Sequence, residues 1–121
     1  MASTSALETV QDYVDESRRL LQDQITPFRY PDADLVAALN IGLAEARRLR
    51  PDLFLPSFAI PYFTTLAADG GKAVAIEVQF RSAFVYYLVG RMQLRDDEST
   101  TDARAASLLN KFIGQLMTVQ A

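Results

Sequence analysis

Residues 86–117 of the chain, YYLVGRMQLRDDESTTDARAASLLNKFIGQLM, decide the fold. Apolar side chains recur at helical spacing on both sides of a short acidic turn, residues 95–102, in which hydroxyl side chains follow three carboxylates. Hydroxyls cap helix N-termini and carboxylates are favourable there, so the turn separates two helices. The stretch therefore predicts a helical hairpin, with a central helix over residues 77–94 and a last helix over residues 101–118.

The N-terminal part predicts another helix. Ser5 and Glu8 have the spacing of a capping box, and apolar side chains then recur at helical spacing over residues 6–22. Residues 1–4 are expected to form a mobile tail. After this helix two prolines interrupt the chain, and the aromatic side chains between them are expected to fold back onto the core: Phe28 and Tyr30.

A second helix is predicted over residues 33–48, with Asp32 as its N-cap and Pro51 just beyond its end. Gly42 lies inside this helix, where glycine costs about 1 kcal/mol relative to alanine. Close approach of another helix is the expected reason for it.

Residues 51–76 differ from the rest of the chain. Three prolines exclude a continuous helix, while many aromatic and aliphatic side chains make the segment strongly apolar. We expect extended pieces or a short β-hairpin ending in an ordinary turn at Asp69-Gly70-Gly71. Residues 72–76 fit either a strand or a helix start, and extended structure up to about Ile76 is favoured. The expected fold class is therefore all-α: a bundle of about four helices with this loop or hairpin between the second and third.

Composition narrows the functions. A chain of 121 residues, 50% hydrophobic and 22% charged, is expected to be a single globular domain over residues 1–121. It contains no cysteine. It also contains no histidine, which is the commonest catalytic base and the commonest transition-metal ligand. Neither a membrane span nor an enzyme is expected, and no catalytic residue, cofactor or metal is assigned. A carboxylate cluster is interpreted as helix capping, because it lacks the glycine and the ligand spacing of a calcium loop: Asp96, Asp97, Glu98 and Asp102.

Two further features suggest contacts with partners. Three arginines near the end of the second helix are candidate contacts to DNA phosphates or an acidic partner, or else a solvated helix end: Arg47, Arg48 and Arg50. Tyr86-Tyr87 and the aromatic loop, residues 54–63, are either interface anchors or core residues.

Several motifs together resemble the head-to-tail connector (adaptor) proteins of tailed bacteriophages. Those in the C-terminal half are Val85-Tyr86-Tyr87-Leu88-Val89-Gly90-Arg91, Gln93-Leu94-Arg95-Asp96-Asp97-Glu98, Asp102-x-Arg104-Ala105 and Leu108-Leu109-x-Lys111-Phe112. Those before the aromatic loop are Leu39-Asn40 and Glu45-x-x-Arg48-Leu49-Arg50-Pro51-Asp52. They cover about half of the chain in the family's order.

The resemblance implies a non-catalytic structural protein of the virion, assembled in the host cytoplasm. It implies a homo-oligomeric, dodecameric ring that binds the portal protein and a tail or neck protein, while genomic DNA passes without specific binding. The last helix is then the candidate portal interface: Leu108, Leu109, Phe112, Ile113, Leu116 and Met117. The aromatic loop supplies the candidate contacts between subunits: Phe54, Phe58, Tyr62 and Phe63.

Two other classes of function remain open. One is a small helical regulatory or binding module that acts as a homodimer through the apolar loop. The other is a nucleic-acid-binding helical domain that uses the three arginines, which the net charge of −3 disfavours.

Overall fold

The computed structural model describes residues 7–54, 62–74, 76, 78–95 and 99–117. This part of the chain is all-α, as predicted: it contains five α-helices and one 3₁₀ helix but no β-strand. The helices are α1 (Val10–Leu21), α2 (Asp32–Leu49), the single turn α3 (Leu66–Asp69), α4 (Val78–Arg95) and α5 (Ser99–Met117), with the 3₁₀ helix at Pro51–Phe54. None of the described helices is long and apolar enough to cross a membrane.

The central helix is α4, which contacts α1, α2 and α5. Most of its described side chains are buried, as its sequence predicts for a helix with little polar face. Against α5, the Phe84 and Phe112 rings meet edge to face with their centroids 5.5 Å apart. Phe112 also contacts the Tyr87 ring at 4.7 Å. These aromatic contacts join the two long helices of the hairpin.

Two glycines let helices approach α4 closely. A Cβ built on Gly42 of α2 would lie 2.9 Å from Cδ2 of Tyr87, which is closer than packed side chains come. The predicted reason for this mid-helix glycine is thus confirmed. Gly90 of α4 likewise allows α5 to approach closely, since a Cβ there would lie 3.0 Å from Cγ of Leu109.

The start of α1 differs from the prediction. The helix begins at Val10, and its capping box consists of Thr9 and Asp12, while Ser5 lies outside the described residues. The Thr9 hydroxyl accepts from the Asp12 N–H at 3.2 Å, and the Asp12 carboxylate accepts from the Thr9 N–H at 3.0 Å. Glu8, predicted to be helical, lies before this cap.

The residues just before α1 pair instead with the segment that leads into α4. Thr9 forms an isolated antiparallel bridge with Ala73. The Val74 N–H donates to the Glu8 carbonyl at 2.8 Å. This long-range pairing satisfies backbone groups that a helix would otherwise use, which explains the late helix start. The bridge agrees with the extended backbone predicted at Ala73, while residues 75 and 77 of the same segment lie outside the described residues.

A buried carboxylate organises the connection between α1 and α2. Asp23 accepts from the backbone N–H groups of Arg29 at 2.7 Å and Tyr30 at 3.0 Å, and pairs with Arg18 at 2.8 Å. The same guanidinium pairs with Asp32 at 2.5 Å. Asp23 and Arg18 are both buried, so the connection is closed by hydrogen bonds to charged groups out of water.

Two predictions for this connection are wrong. Phe28 does not join the core: it is 37% exposed, and the Arg18 guanidinium lies 3.8 Å from its ring centroid. Asp32 is not the N-cap of α2: Pro31 occupies that position without a side-chain hydrogen bond, and Asp32 is the first helical residue. In both cases a contact with Arg18 explains the difference, because its guanidinium lies over the Phe28 ring and pairs with the Asp32 carboxylate. Tyr30 is buried, as predicted.

The segment predicted as extended pieces or a hairpin is partly helical where the structure describes it. The 3₁₀ helix Pro51–Phe54 follows α2 directly, and α3 begins after the N-cap Thr65. Asp69 at the end of α3 accepts from the Thr64 backbone N–H at 2.6 Å and pairs with Lys72 at 2.9 Å. Residues 55–61, where the rest of the hairpin was predicted, lie outside the described residues.

Candidate partner-binding surface

The predicted portal-interface side chains of α5 divide into buried and exposed ones. Phe112 and Leu116 are 2% and 0% exposed, so they belong to the core of the chain itself. Leu108 and Leu109 are half-buried and pack against that core. The two that reach the surface are Ile113, 44% exposed, and Met117, 50% exposed.

The predicted subunit-interface side chains divide in the same way. Tyr62 is 76% exposed, whereas Phe63 is buried. The Asn40 side chain fixes Phe63 by donating to its carbonyl at 2.8 Å and accepting from its N–H at 3.0 Å. The side chains of Phe54 and Phe58 lie outside the described part. Tyr62 is therefore the described member of the set that a neighbouring molecule can reach.

The three arginines of the predicted DNA or acidic-partner contact do not act as one group. Arg50 pairs with Asp52 at 2.8 Å and donates to the Leu116 carbonyl, so it joins the end of α2 to the end of α5. The hydrogen bond from Arg50 lowers the pKa of Asp52. Arg48 pairs with Glu45 at 2.8 Å on the surface, and Arg47 is exposed. Arg50 thus has a structural role within the fold.

A groove that the sequence did not reveal runs between α2, α4 and α5. It consists of two shallow depressions of about 390 Å³ and about 280 Å³ that share Ile41 and Arg91. Leu94 lines the first depression and Ile113 the second. We call this surface the α2/α4/α5 groove. One feature of the sequence points to this groove: Ile41 is apolar but lies outside the core-facing seam of α2, which consists of Leu35, Leu39, Gly42 and Ala46.

The groove carries a positive charge near its middle. The Arg91 guanidinium lies 5.9 Å from the centroid of the Tyr87 ring, within cation–π range. Burial raises the pKa of the Tyr87 hydroxyl, while Arg91 acts in the opposite direction and lowers it. Tyr87 is a core residue, which confirms the packing alternative for that position. Its neighbour Tyr86 is half-buried, with the Lys111 ammonium 4.7 Å from its ring centroid.

The described residues contain no group of three or more acidic, histidine or cysteine side chains able to hold a metal ion. Asp96, Asp97 and Glu98 of the predicted capping turn lie outside that part of the chain, as does the side chain of Asp102.

No protein-family model matches the sequence, and neither the curated proteins nor the solved structures contain a match.

Proposed function

We propose that this chain is a structural virion protein that joins the portal of a tailed-phage head to the tail or neck. Copies of the chain form a ring, dodecameric by the family resemblance, that extends the DNA channel. The observation that carries the proposal is the ordered set of sequence motifs around Tyr86–Phe112 and Glu45–Asp52. The alternative is a small helical binding module that acts as a homodimer.

The described fold supports the proposal by giving these motifs a common structural role. The first motif lies on α4 and contains Gly90, against which α5 packs. The motif at the end of α2 contains Arg50, which donates to the Leu116 carbonyl of α5. Both motifs therefore hold α5 in place, one against α4 and the other at the end of α2.

In such a ring, exposed apolar side chains would make the contacts. Ile113 and Met117 on α5 present apolar surface to the portal, and Tyr62 presents an aromatic ring to a neighbouring subunit. A stable contact buries roughly 1,600 Å² of total surface. Head-to-tail contacts between different faces close into a ring when the rotation between subunits permits it. The net charge of −3 lets DNA pass, since retention requires arginines and lysines at the phosphates.

The proposal is tested by binding of the purified chain to phage particles that carry a portal but lack this component. We expect co-sedimentation of the chain with the particles, reduced at least about tenfold by Met117→Asp, because a charge in an apolar contact is costly. Ser107→Asp on the same helix is the matched control: Ser107 is also exposed, but it lies about 80° around the helix from Met117. A chain that forms a discrete dimer and does not bind such particles is instead the homodimeric module.

A further inference from the structure

Exposed apolar side chains are concentrated in the α2/α4/α5 groove. Ile41, Leu94 and Ile113 are 42%, 45% and 44% exposed. They make up three of the seven large apolar side chains that the described part of the chain exposes, so the groove holds the main apolar cluster. Single exposed apolar residues are normal in proteins, whereas a contiguous group lining a depression marks an interaction surface.

The length of the groove matches a helix. Along α2 it extends from Asp34, which lines the first depression, to Glu45, which lines the second. At 1.5 Å per residue this is about 16 Å, or three turns of an α-helix. Apolar side chains seven residues apart on a docked helix are about 10 Å apart, so one can enter each depression while both share a face.

The charge of the groove selects the kind of helix. Arg91 lines both depressions and therefore lies where they meet. Within the part of the chain that the structure describes, no carboxylate pairs with it. Two carboxylates also line the groove, and both are engaged: Glu45 pairs with Arg48 at 2.8 Å, and Asp34 has a partner of its own. The midpoint of a docked helix would thus face a half-buried guanidinium, which a carboxylate complements.

We propose that the α2/α4/α5 groove binds an amphipathic helix of a partner protein that carries an acidic residue between two apolar anchors. The anchors, at positions i and i+7, fill the two depressions, and an Asp or Glu at i+3 or i+4 pairs with Arg91. The groove is a surface of the single chain, so its test does not require a ring. Ile113 lines the groove and also lies in the proposed portal contact, so the two proposals share this residue.

The test uses a displayed library of helical peptides with Leu at i and i+7, in which position i+4 is acidic, basic or amide and the other positions vary. The full chain is the target, and affinities of the selected peptides are measured by fluorescence anisotropy. We expect acidic peptides to be enriched and Arg91→Gln to weaken them at least about tenfold. Arg104→Gln, an exposed arginine of α5 outside the groove lining, is the matched control and leaves binding unchanged.

Charge reversal makes the test specific. Arg91→Glu should shift the enrichment from acidic to basic peptides, which a general loss of stability would not do; circular dichroism checks that each variant is folded. Absence of any enrichment, or enrichment that ignores the charge at i+4, overturns the proposal. Self-association of the chain that Ile113→Asp abolishes also overturns it, because the groove would then hold a second copy.

Discussion

The substitution Asp23→Asn tests how the connection between α1 and α2 is held. The Asp23 carboxylate accepts three hydrogen bonds, from Arg18 at 2.8 Å and from the backbone N–H groups of Arg29 at 2.7 Å and Tyr30 at 3.0 Å. Asparagine keeps the shape but offers one acceptor oxygen, and its NH₂ group would face a donor. The buried guanidinium of Arg18 would also lose one of its two negative partners.

The expected loss of unfolding free energy is about 3 kcal/mol. Removing one partner of a buried ion pair costs roughly 3–5 kcal/mol, and Asp32 still holds the other guanidinium nitrogen, which places the variant at the low end. For a domain of 121 residues this lowers the melting temperature by about 10 °C.

Thermal unfolding followed by circular dichroism measures this shift. The control is Asp52→Asn, which breaks an ion pair to Arg50 whose aspartate side chain is 55% exposed, and should leave the melting temperature nearly unchanged. If Asp23→Asn unfolds at the temperature of the unsubstituted chain, the carboxylate does not hold the connection and the reasoning fails.

Three further predictions concern stability. Gly42→Ala should destabilise the chain by about 1 kcal/mol, because the clash with Tyr87 outweighs the gain in helix propensity. Gly114→Ala has open space at its Cβ and should stabilise the chain by about 1 kcal/mol; urea titrations measure both changes. Tyr13→Phe should stabilise the chain by about 1 kcal/mol at neutral pH, since the buried hydroxyl has no hydrogen-bond partner among the described residues. Burial also raises the pKa of Tyr13, so the folded state keeps a proton that the unfolded state loses; stability should fall as the pH rises above 10.0, and equal alkaline sensitivity in the Phe variant would contradict this. The hydrogen bond from the Thr64 backbone N–H, and then the one from Lys72, lower the pKa of Asp69 below its ordinary value of 3.8. Asp69 therefore stabilises the fold above that pH, and this stabilisation is lost as the pH falls through the folded-state pKa. Asp69→Asn should reduce the loss of unfolding free energy at acid pH, and an unchanged acid dependence would count against the assignment.

Local patterns in the sequence predicted the main helices well. The period of apolar residues and the positions of prolines placed α2, α4 and α5 within two residues of their observed ends. Gly42 predicted a close helix contact, because a mid-helix glycine needs a compensating reason. These features depend on neighbours along the chain, which a sequence shows directly.

Features that depend on distant residues were missed or misplaced. The start of α1 is set by pairing with Ala73, which no local capping pattern reports. The position of Phe28 follows from Arg18, ten residues earlier in the chain and in another element.

The candidate site shows the same limit. Helical periodicity identified the apolar residues of α5, but it could not tell Phe112 in the core from Ile113 at the surface, because the width of the buried stripe depends on how α5 packs on α4. The α2/α4/α5 groove combines side chains from three helices, so it becomes visible only once their packing is known.

The most direct test of the proposed function is cryo-electron microscopy of portal-bearing particles incubated with this chain. The account predicts a closed ring of added density beneath the portal, with the end of α5 that carries Ile113 and Met117 facing the portal. Particles without added density at saturating concentrations of a folded chain would contradict it.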